Sequence, residues 1–198
     1  MKRTPLTATA IIADAADLAD DAGFDLVTLS AVARRLGVQT PSLYSHVRDR
    51  AALLDGMTAL ALSELAERVA VAIAGRSGGL ALHGFAEAHR AYAQESPGRW
   101  QSLQRRAGVV AVQSGAARTF VALTNAMLLG YALPPSERVH AIRLIGATIN
   151  GYLALERIGS FDHSEPAPDV SWRKAIDALD VLLRAWPTET PTETRRQR

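Results

Sequence analysis

An all-α fold is predicted by three features of the sequence. Alanine, leucine and arginine dominate it, and all three favour helix. The strict apolar–polar alternation of a half-buried strand is absent. Apolar residues recur instead at three- and four-residue spacing, between glycines, prolines and small polar caps. The first helix is expected over 7–22, where Ile11, Ala15, Leu18 and Ala22 share a face and Gly23 stops the chain. Thr28 suits the N-cap of a second helix that ends at Gly37. A very short third helix covers 40–46. Asp49 caps a fourth that runs to about residue 74, a rod of about 39 Å at 1.5 Å per residue.

The glycine-rich run 75–79 reads as a hinge or loop. A helix over 80–95 ends at Ser96-Pro97-Gly98, a short helix starts at Arg99, and a long one spans 114–131. Pro134 and Pro135 open another that reaches about 158. Residues 159–169 carry two prolines and three acids and form a loop, and 171–186 is the last helix. The polar segment 187–198 is expected to be disordered.

Composition narrows the function. The 198 residues are 48% hydrophobic with a mean hydropathy of +0.03, so the chain buries a core without help from disulfides or metal. It contains no cysteine, which removes thiolate metal sites and cysteine nucleophiles. The longest uncharged run, 119–136, carries Thr124 and Asn125 and ends in two prolines, so it reads as a buried helix and not a membrane span. No small-residue cleavage site follows an apolar segment near the start, and a cytoplasmic protein is expected. No nucleophile elbow, phosphate loop or metalloprotease helix is present, so neither an enzyme nor a cofactor or metal site is expected.

The segment 28–54 carries the function. Residues 28–36 form an amphipathic helix with Leu29, Val32, Ala33 and Leu36 inward, and Gly37-Val38 makes a tight turn. Residues 41–46 form a second helix, and two short helices about a glycine turn are a helix-turn-helix. An element about 10 Å long fits a major groove about 12 Å wide. Leu43 and Val47 anchor it. Gln39, Thr40, Ser42, Ser45 and His46 point outward, all short or polar hydrogen-bonding side chains.

Residues 37–54, Gly-Val-Gln-Thr-Pro-Ser-Leu-Tyr-Ser-His-Val-Arg-Asp-Arg-Ala-Ala-Leu-Leu, resemble the signature of TetR-family repressors. The resemblance extends over about 10–57, with the Ala-Gly-Phe turn at 22–24 and the Thr28 start. It implies that Gln39, Thr40, Pro41 and Ser42 face base edges and that Tyr44 and His46 grip phosphates and groove walls. Thr28 would bind a phosphate beside the free amides of a helix start. Arg50 stands where the family usually has a phosphate-binding lysine. Ser30 replaces an arginine that reads bases in some members, and Ser45 replaces an aromatic. From their positions alone, Tyr44 and His46 could equally pack the corner, and Arg34 and Arg35 could be a solvated face.

The charge balance of this segment is unusual for a nucleic-acid binder. Residues 1–56 hold six bases (Lys2, Arg3, Arg34, Arg35, Arg48, Arg50) against seven acids (Asp14, Asp17, Asp20, Asp21, Asp25, Asp49, Asp55), one charge negative. DNA binding then requires segregation, with acids on the first helix and its exit and bases elsewhere.

The rest of the chain holds the candidate ligand residues. The resemblance implies a ligand cavity in the second domain, with Trp100 and Gln104 one turn apart near its mouth. Trp100 either packs the core or stacks on a ligand. Asn125 and Asn150 lie inside apolar helices, where a buried amide must find a backbone partner or orient a ligand. His83, Glu87 and Arg90 share a helical stripe that His89 leaves, and a surface ion pair is the expected reading of that stripe. Residues 146–156 resemble, more faintly, a C-terminal domain type of the same family that carries Trp-x-x-x-His-Gly. Gly146 and Asn150 stand at the Trp and His, and Gly151 remains.

The expected protein is therefore an all-α repressor. Residues 1–48 form a helix-turn-helix DNA-binding domain, 49–186 a ligand-binding and dimerisation domain, and 187–198 a disordered tail. The resemblance implies a homodimer through helices near 135–159 and 171–186, which pack as a four-helix bundle. Ile142, Ile145, Ile149 and Leu153 give the first an apolar stripe, and Ile176, Leu179, Leu183 and Trp186 the second. Its partners are a palindromic double-stranded operator and a small, mostly apolar effector that releases it. Two alternatives are a helical carrier of hydrophobic molecules with a vestigial DNA module and a small helical enzyme using His83, Glu87 or His89.

Overall fold

Thr7, Thr28, Asp49 and Ser114 each stand just before a helix and accept a backbone N–H three residues on, at 2.7–3.1 Å. Each satisfies one of the amides that a helix start leaves free. The Ala52 amide, and after it Arg48, hold the Asp49 carboxyl below its ordinary pKa.

The computed structural model describes residues 5–187, and all regular structure among them is helical. The elements are α1 (Ala8–Ala22), α2 (Leu29–Leu36), α3 (Arg50–Ile73), α4 (Gly78–Glu95), α5 (Pro97–Leu103), α6 (Val109–Val112), α7 (Gly115–Leu128), α8 (Arg138–Arg157) and α9 (Pro168–Arg184), with 3-10 turns at Phe24–Leu26 and Thr40–Leu43. No helix among the described residues is long and apolar enough to cross a membrane. The tail expected to be disordered lies outside the described residues apart from Pro187.

Several boundaries differ from expectation for local reasons. The third helix is not α-helical: Thr40–Leu43 form a 3-10 turn and residues 44–46 a turn. Its bonds run three residues back, from Ser42 N–H to Gln39, Tyr44 to Pro41 and His46 to Leu43. The glycine run is only partly loop, because α4 begins at Gly78. A Cβ on Gly130, just beyond α7, would lie 2.1 Å from the Gly78 nitrogen, so two backbones meet there. The short helix starts at Pro97, which supplies a preset φ at its first position. The four-residue α6 was not anticipated; it is too short to show periodicity, and Val109, Val110 and Val112 are exposed. The prolines at 134–135 precede α8 by a turn and do not open it, and α9 starts three residues early, at Pro168.

Buried apolar side chains form two clusters. One joins α1 and α2 to the start of α3 through Ile11, Val32, Leu43 and Leu53. The other joins the remainder of α3 to α4, α5 and α7–α9, with Tyr92, Trp100, Met127, Ile145 and Trp172. The 24-residue α3, about 36 Å long, runs through both.

The apolar stripes assigned to a partner subunit are used within the chain. Ile145, Ile149 and Leu153 of α8 and Ile176, Leu179 and Leu183 of α9 are buried in the second cluster, with Ile142 and Trp186 half-buried against it. Folding takes the strongest stripe of each helix first. Val139, Leu155 and Ile158 of the α8 segment and Val170, Val181 and Leu182 of α9 stay exposed.

One junction ties the two clusters together. The Asp20 carboxylate, at the end of α1, accepts the backbone N–H groups of Gly98 and Arg99 at 2.8 and 2.9 Å, the start of α5. The Arg99 guanidinium returns to Asp20, to Asp17 at 2.6 Å and to Glu64 of α3 at 3.3 Å. A Cβ on Gly98 would lie 2.1–2.5 Å from backbone atoms of Ala19 and Asp20. Only glycine allows this approach. Gly98→Ala is expected to cost about 2 kcal/mol through overpacking, lowering Tm by roughly 4–8 °C in a thermal melt. An unchanged Tm would show that the junction yields freely.

Candidate nucleic-acid interface and ligand cavity

The helix-turn-helix is set by local chemistry. Thr28 caps α2, and Gly37 takes the left-handed conformation (φ +66°) that ends it. Val38 N–H then returns to the Ala33 carbonyl at 3.0 Å, closing the turn. Leu43 is fully buried and Val47 nearly so, which holds the Thr40–Leu43 turn against α1–α3. Gln39, Pro41, Ser42, Tyr44, Ser45 and His46 are exposed and Thr40 is half-buried. Tyr44 is 54% exposed, so it does not pack the corner. Ser45 differs from the others, because its hydroxyl donates to the Ser42 carbonyl at 2.9 Å.

Arg50 Nε donates to the Val27 carbonyl at 2.8 Å, fixing the start of α3 to the entry of α2. The Thr28 and Ser30 hydroxyls lie 3.1 Å apart. Thr28, Gln39, Tyr44, His46 and Arg50 thus belong to one contiguous, rigidly backed segment.

Pairing accounts for six of the seven acids of the module. Arg35 binds Asp14 at 3.1 Å and Asp21 at 2.8 Å, and Arg99 binds Asp17 and Asp20. Asp49 caps α3, and Asp55 accepts the amides of Gly108, Val110 and Ala111 at 2.8–3.4 Å, capping α6. Both Arg34 and Arg35 are exposed, but Arg35 is paired with two carboxylates and is therefore no free cation of a solvated face. The balance of residues 1–56 misled because Arg99, from outside the segment, neutralises part of α1.

Behind α5 lies a cavity of about 240 Å³. Trp100, Gln104 and Asn150 border it. Asn125 does not: its amide donates to the Val121 carbonyl on its own helix at 2.9 Å, and the preceding Thr124 reaches the cavity instead. Gln104 Nε2 donates to Asn150 Oδ1 at 3.0 Å, and Asn150 Nδ2 to the Gly146 carbonyl at 2.9 Å. Gly146 also borders the cavity, and a Cβ there would meet nothing within 4 Å. The Trp of the related domain type is thus replaced by open space.

His89, which the sequence offers only to the enzyme alternative, is also a cavity residue. It is 5% exposed, stacked at 4.3 Å on Phe85, with Nδ1 2.7 Å from the Phe85 carbonyl. Burial pushes its pKa down to about 4. Its position four residues after Phe85 and three before Tyr92, on the buried face of α4, was the available signal. The neighbouring stripe behaves differently from expectation. His83 meets Asp177 at 3.0 Å, Glu87 accepts from Trp172 Nε1 at 2.6 Å, and Arg90 binds Glu156 and Asp169. All three reach across to α8 or the α9 segment, so the stripe is a packing seam and not an ion pair along one helix. Among the described residues no His, Asp and Glu cluster could hold a metal ion.

Comparison with known proteins agrees with this architecture. Residues 11–57 match the family described as bacterial regulatory proteins, tetR family, and residues 82–179 the tetracyclin repressor-like C-terminal domain. The chain is 28% identical over 170 residues to the uncharacterised HTH-type transcriptional regulator YobS of Bacillus subtilis, covering 82% of this chain and 85% of that one. Over 61 residues it is 43% identical to the class A tetracycline repressor from transposon 1721 of Escherichia coli, 31% of this chain and 28% of that one. Apo ActR of Streptomyces coelicolor has a similar fold, with a TM-score of 0.72 at 18% identity over 92% of this chain and 96% of that one.

The burial of His89 has a consequence for stability. The folded chain keeps His89 neutral down to about pH 4, whereas an unfolded histidine takes its proton near 6.5. Between these values the unfolded state binds the extra proton, so this stability is full above about 6.5 and is lost as pH falls toward 4. Thermal melts at pH 7 and pH 5 are expected to show a larger loss of Tm for the wild type than for His89→Leu. Equal losses would contradict a neutral buried imidazole.

Proposed function

Because the chain belongs to the tetR family of DNA-binding transcriptional regulators, a family without enzymatic activity, we propose that it is a homodimeric repressor released from a palindromic operator by a small molecule. One observation carries the ligand response: α5 forms a wall of the cavity through Trp100 and Leu103 and is bonded at its start to α1 of the helix-turn-helix. A ligand that displaces this wall pulls on Asp20 and on the DNA-reading unit. The α6 segment gives a second link, since Ala107 borders the cavity and Gly108 is held by Asp55 one turn into α3.

In this reading Gln39, Thr40, Pro41 and Ser42 meet base edges, and Tyr44, His46 and Thr28 meet the backbone. Arg50 joins them with the guanidinium nitrogens left over from its bond to Val27. Residues 1–48 are the DNA-binding unit and 49–186 the ligand-binding and dimerisation unit. The second copy covers the outer face of α8 and α9, where Val139, Leu155, Ile158, Val170, Val181 and Leu182 lie exposed. Gly151 on that face has nothing within 4 Å of a Cβ position, which favours close helix approach. The site of action is cytoplasmic, with the DNA. Ligand coupling of about 1–3 kcal/mol suffices for release, provided the ligand fits one arrangement of α5 better than the other.

Fluorescence anisotropy over a salt series, on a duplex selected from a random library against a scrambled one, tests the repressor reading. Sequence-selective, salt-steep binding by two subunits per site is expected. Gln39→Ala is expected to weaken the selected duplex by about 1–3 kcal/mol, roughly 5- to 150-fold, without changing Tm. Tyr44→Ala weakens both duplexes. Failure to recover any preferred duplex would instead favour a hydrophobic-ligand carrier with a vestigial DNA module.

A further inference from the structure

The polarity of the cavity is unusually restricted. None of its lining residues is Asp, Glu, Lys or Arg. A charged ligand would leave water with no opposite charge to meet, which disfavours its burial strongly. The polar lining groups are mostly committed within the protein. The single Thr58 hydroxyl proton is shared between the Leu54 and Ser102 carbonyls, at 3.0 and 3.1 Å, and that of Thr124 goes to Phe120. Gln104 and Asn150 bond to each other, and Asn150 to Gly146.

Two groups stand apart. Trp100 is 3% exposed, and its indole N–H is buried without a hydrogen-bond partner. An indole nitrogen only donates. His89 presents the opposite character. A carbonyl only accepts, so the bond between its Nδ1 and Phe85 places the proton on Nδ1. Burial keeps the ring neutral, so Nε2 carries a lone pair and accepts. Phe85 and Phe120, both lining the cavity, flank the imidazole at 4.3 and 5.7 Å between ring centres. Size adds a further limit: about 240 Å³ exceeds the roughly 150 Å³ of a dry cavity that accepts benzene, and suits one or two fused rings.

We propose that this cavity recognises an uncharged, one- or two-ring molecule that donates a hydrogen bond to His89 Nε2 and accepts one from Trp100 Nε1. The proposal rests on the reading of the cavity as the effector site. Discrimination comes from the two unmatched groups: a ligand without a donor or an acceptor leaves one of them unpaired, and a charged ligand finds no counter-ion.

Calorimetry on the full chain without DNA tests it with bicyclic probes of similar size. Quinolin-2-one and 6-hydroxy-1-tetralone are neutral and carry donor and acceptor in adjacent and in separated positions. Naphthalene carries neither, 2-naphthoate is an anion, and N-methylquinolinium is a cation. At least one neutral donor–acceptor probe is expected to bind at least about tenfold tighter than either ion. His89→Leu and Trp100→Phe are each expected to weaken that probe by roughly five- to tenfold while leaving naphthalene within about twofold. Gly146→Leu, which fills open space and leaves every hydrogen-bonding side chain in place, is expected to abolish binding of all of them.

Equal or tighter binding of an ion, loss of naphthalene together with the polar probe in both single variants, or no binding by any probe would overturn the proposal. Anisotropy on the selected duplex separates it from the effector reading. A neutral probe that binds without releasing DNA leaves the ligand class standing and overturns its role as effector. Release by an ion through this cavity does the reverse.

Discussion

The structure depends on how closely α5 approaches α1. Gly98 has no side chain to hold the backbones apart, and Asp20 then reaches two successive amides and a guanidinium at the start of the same helix. Arg99 extends the contact to Asp17 and Glu64, and Glu64 also accepts from the Tyr92 hydroxyl at 2.7 Å. Helices α1, α3, α4 and α5 therefore meet at one charged node. The arginine side chain there is only 15% exposed, so its pairing is screened by solvent far less than a surface ion pair. The same α5 lines the cavity one turn later with Trp100 and Leu103. The cavity wall and the contact with α1 thus share one short element, on which the proposed ligand response rests.

Charge and its absence are arranged in complementary places. The seams between helices hold paired ions: Arg35 between α1 and α2, Arg99 between α1, α3 and α5, and Arg90 between α4, α8 and α9. The cavity interior contains none. Seams made of ion pairs fix geometry through direction and distance, whereas an uncharged cavity leaves shape and a few hydrogen bonds to decide what enters. The proposed DNA-reading surface is thereby left with hydroxyl, amide and aromatic groups, with Arg34 and Arg50 exposed and Arg48 exposed but paired with Asp49 at 2.8 Å.

The sequence showed best what is determined locally. The caps at Thr28 and Asp49, the turn glycine Gly37 and the anchors Leu43 and Val47 act within a few residues of themselves, whereas the caps at Thr7 and Ser114 emerge only in the structure. Resemblance singles out Trp100 and Gln104, and the placing of an amide inside an apolar helix singles out Asn150; the structure brings all three to one cavity. Contacts between distant parts were not legible. Asp20 and Arg99 are 79 residues apart, and Asp55 and Gly108 are 53 apart. The sequence marks His89 only as leaving the stripe of His83, Glu87 and Arg90 and as an enzyme candidate, because those neighbours form the more conspicuous polar pattern. The stripes on α8 and α9 were assigned to a partner because an apolar face shows that something covers it, not which chain does.

The central claim is that α1 and α5 behave as one cooperative unit across the boundary between the two apolar clusters. Native-state hydrogen exchange of the wild type and Asp20→Ala measures this most directly. The account predicts that amides of Ala15–Ala19 and of Trp100–Ser102 open with similar free energy and lose protection together when Asp20 is removed. Loss of protection in α1 alone, with α5 unchanged, would contradict it.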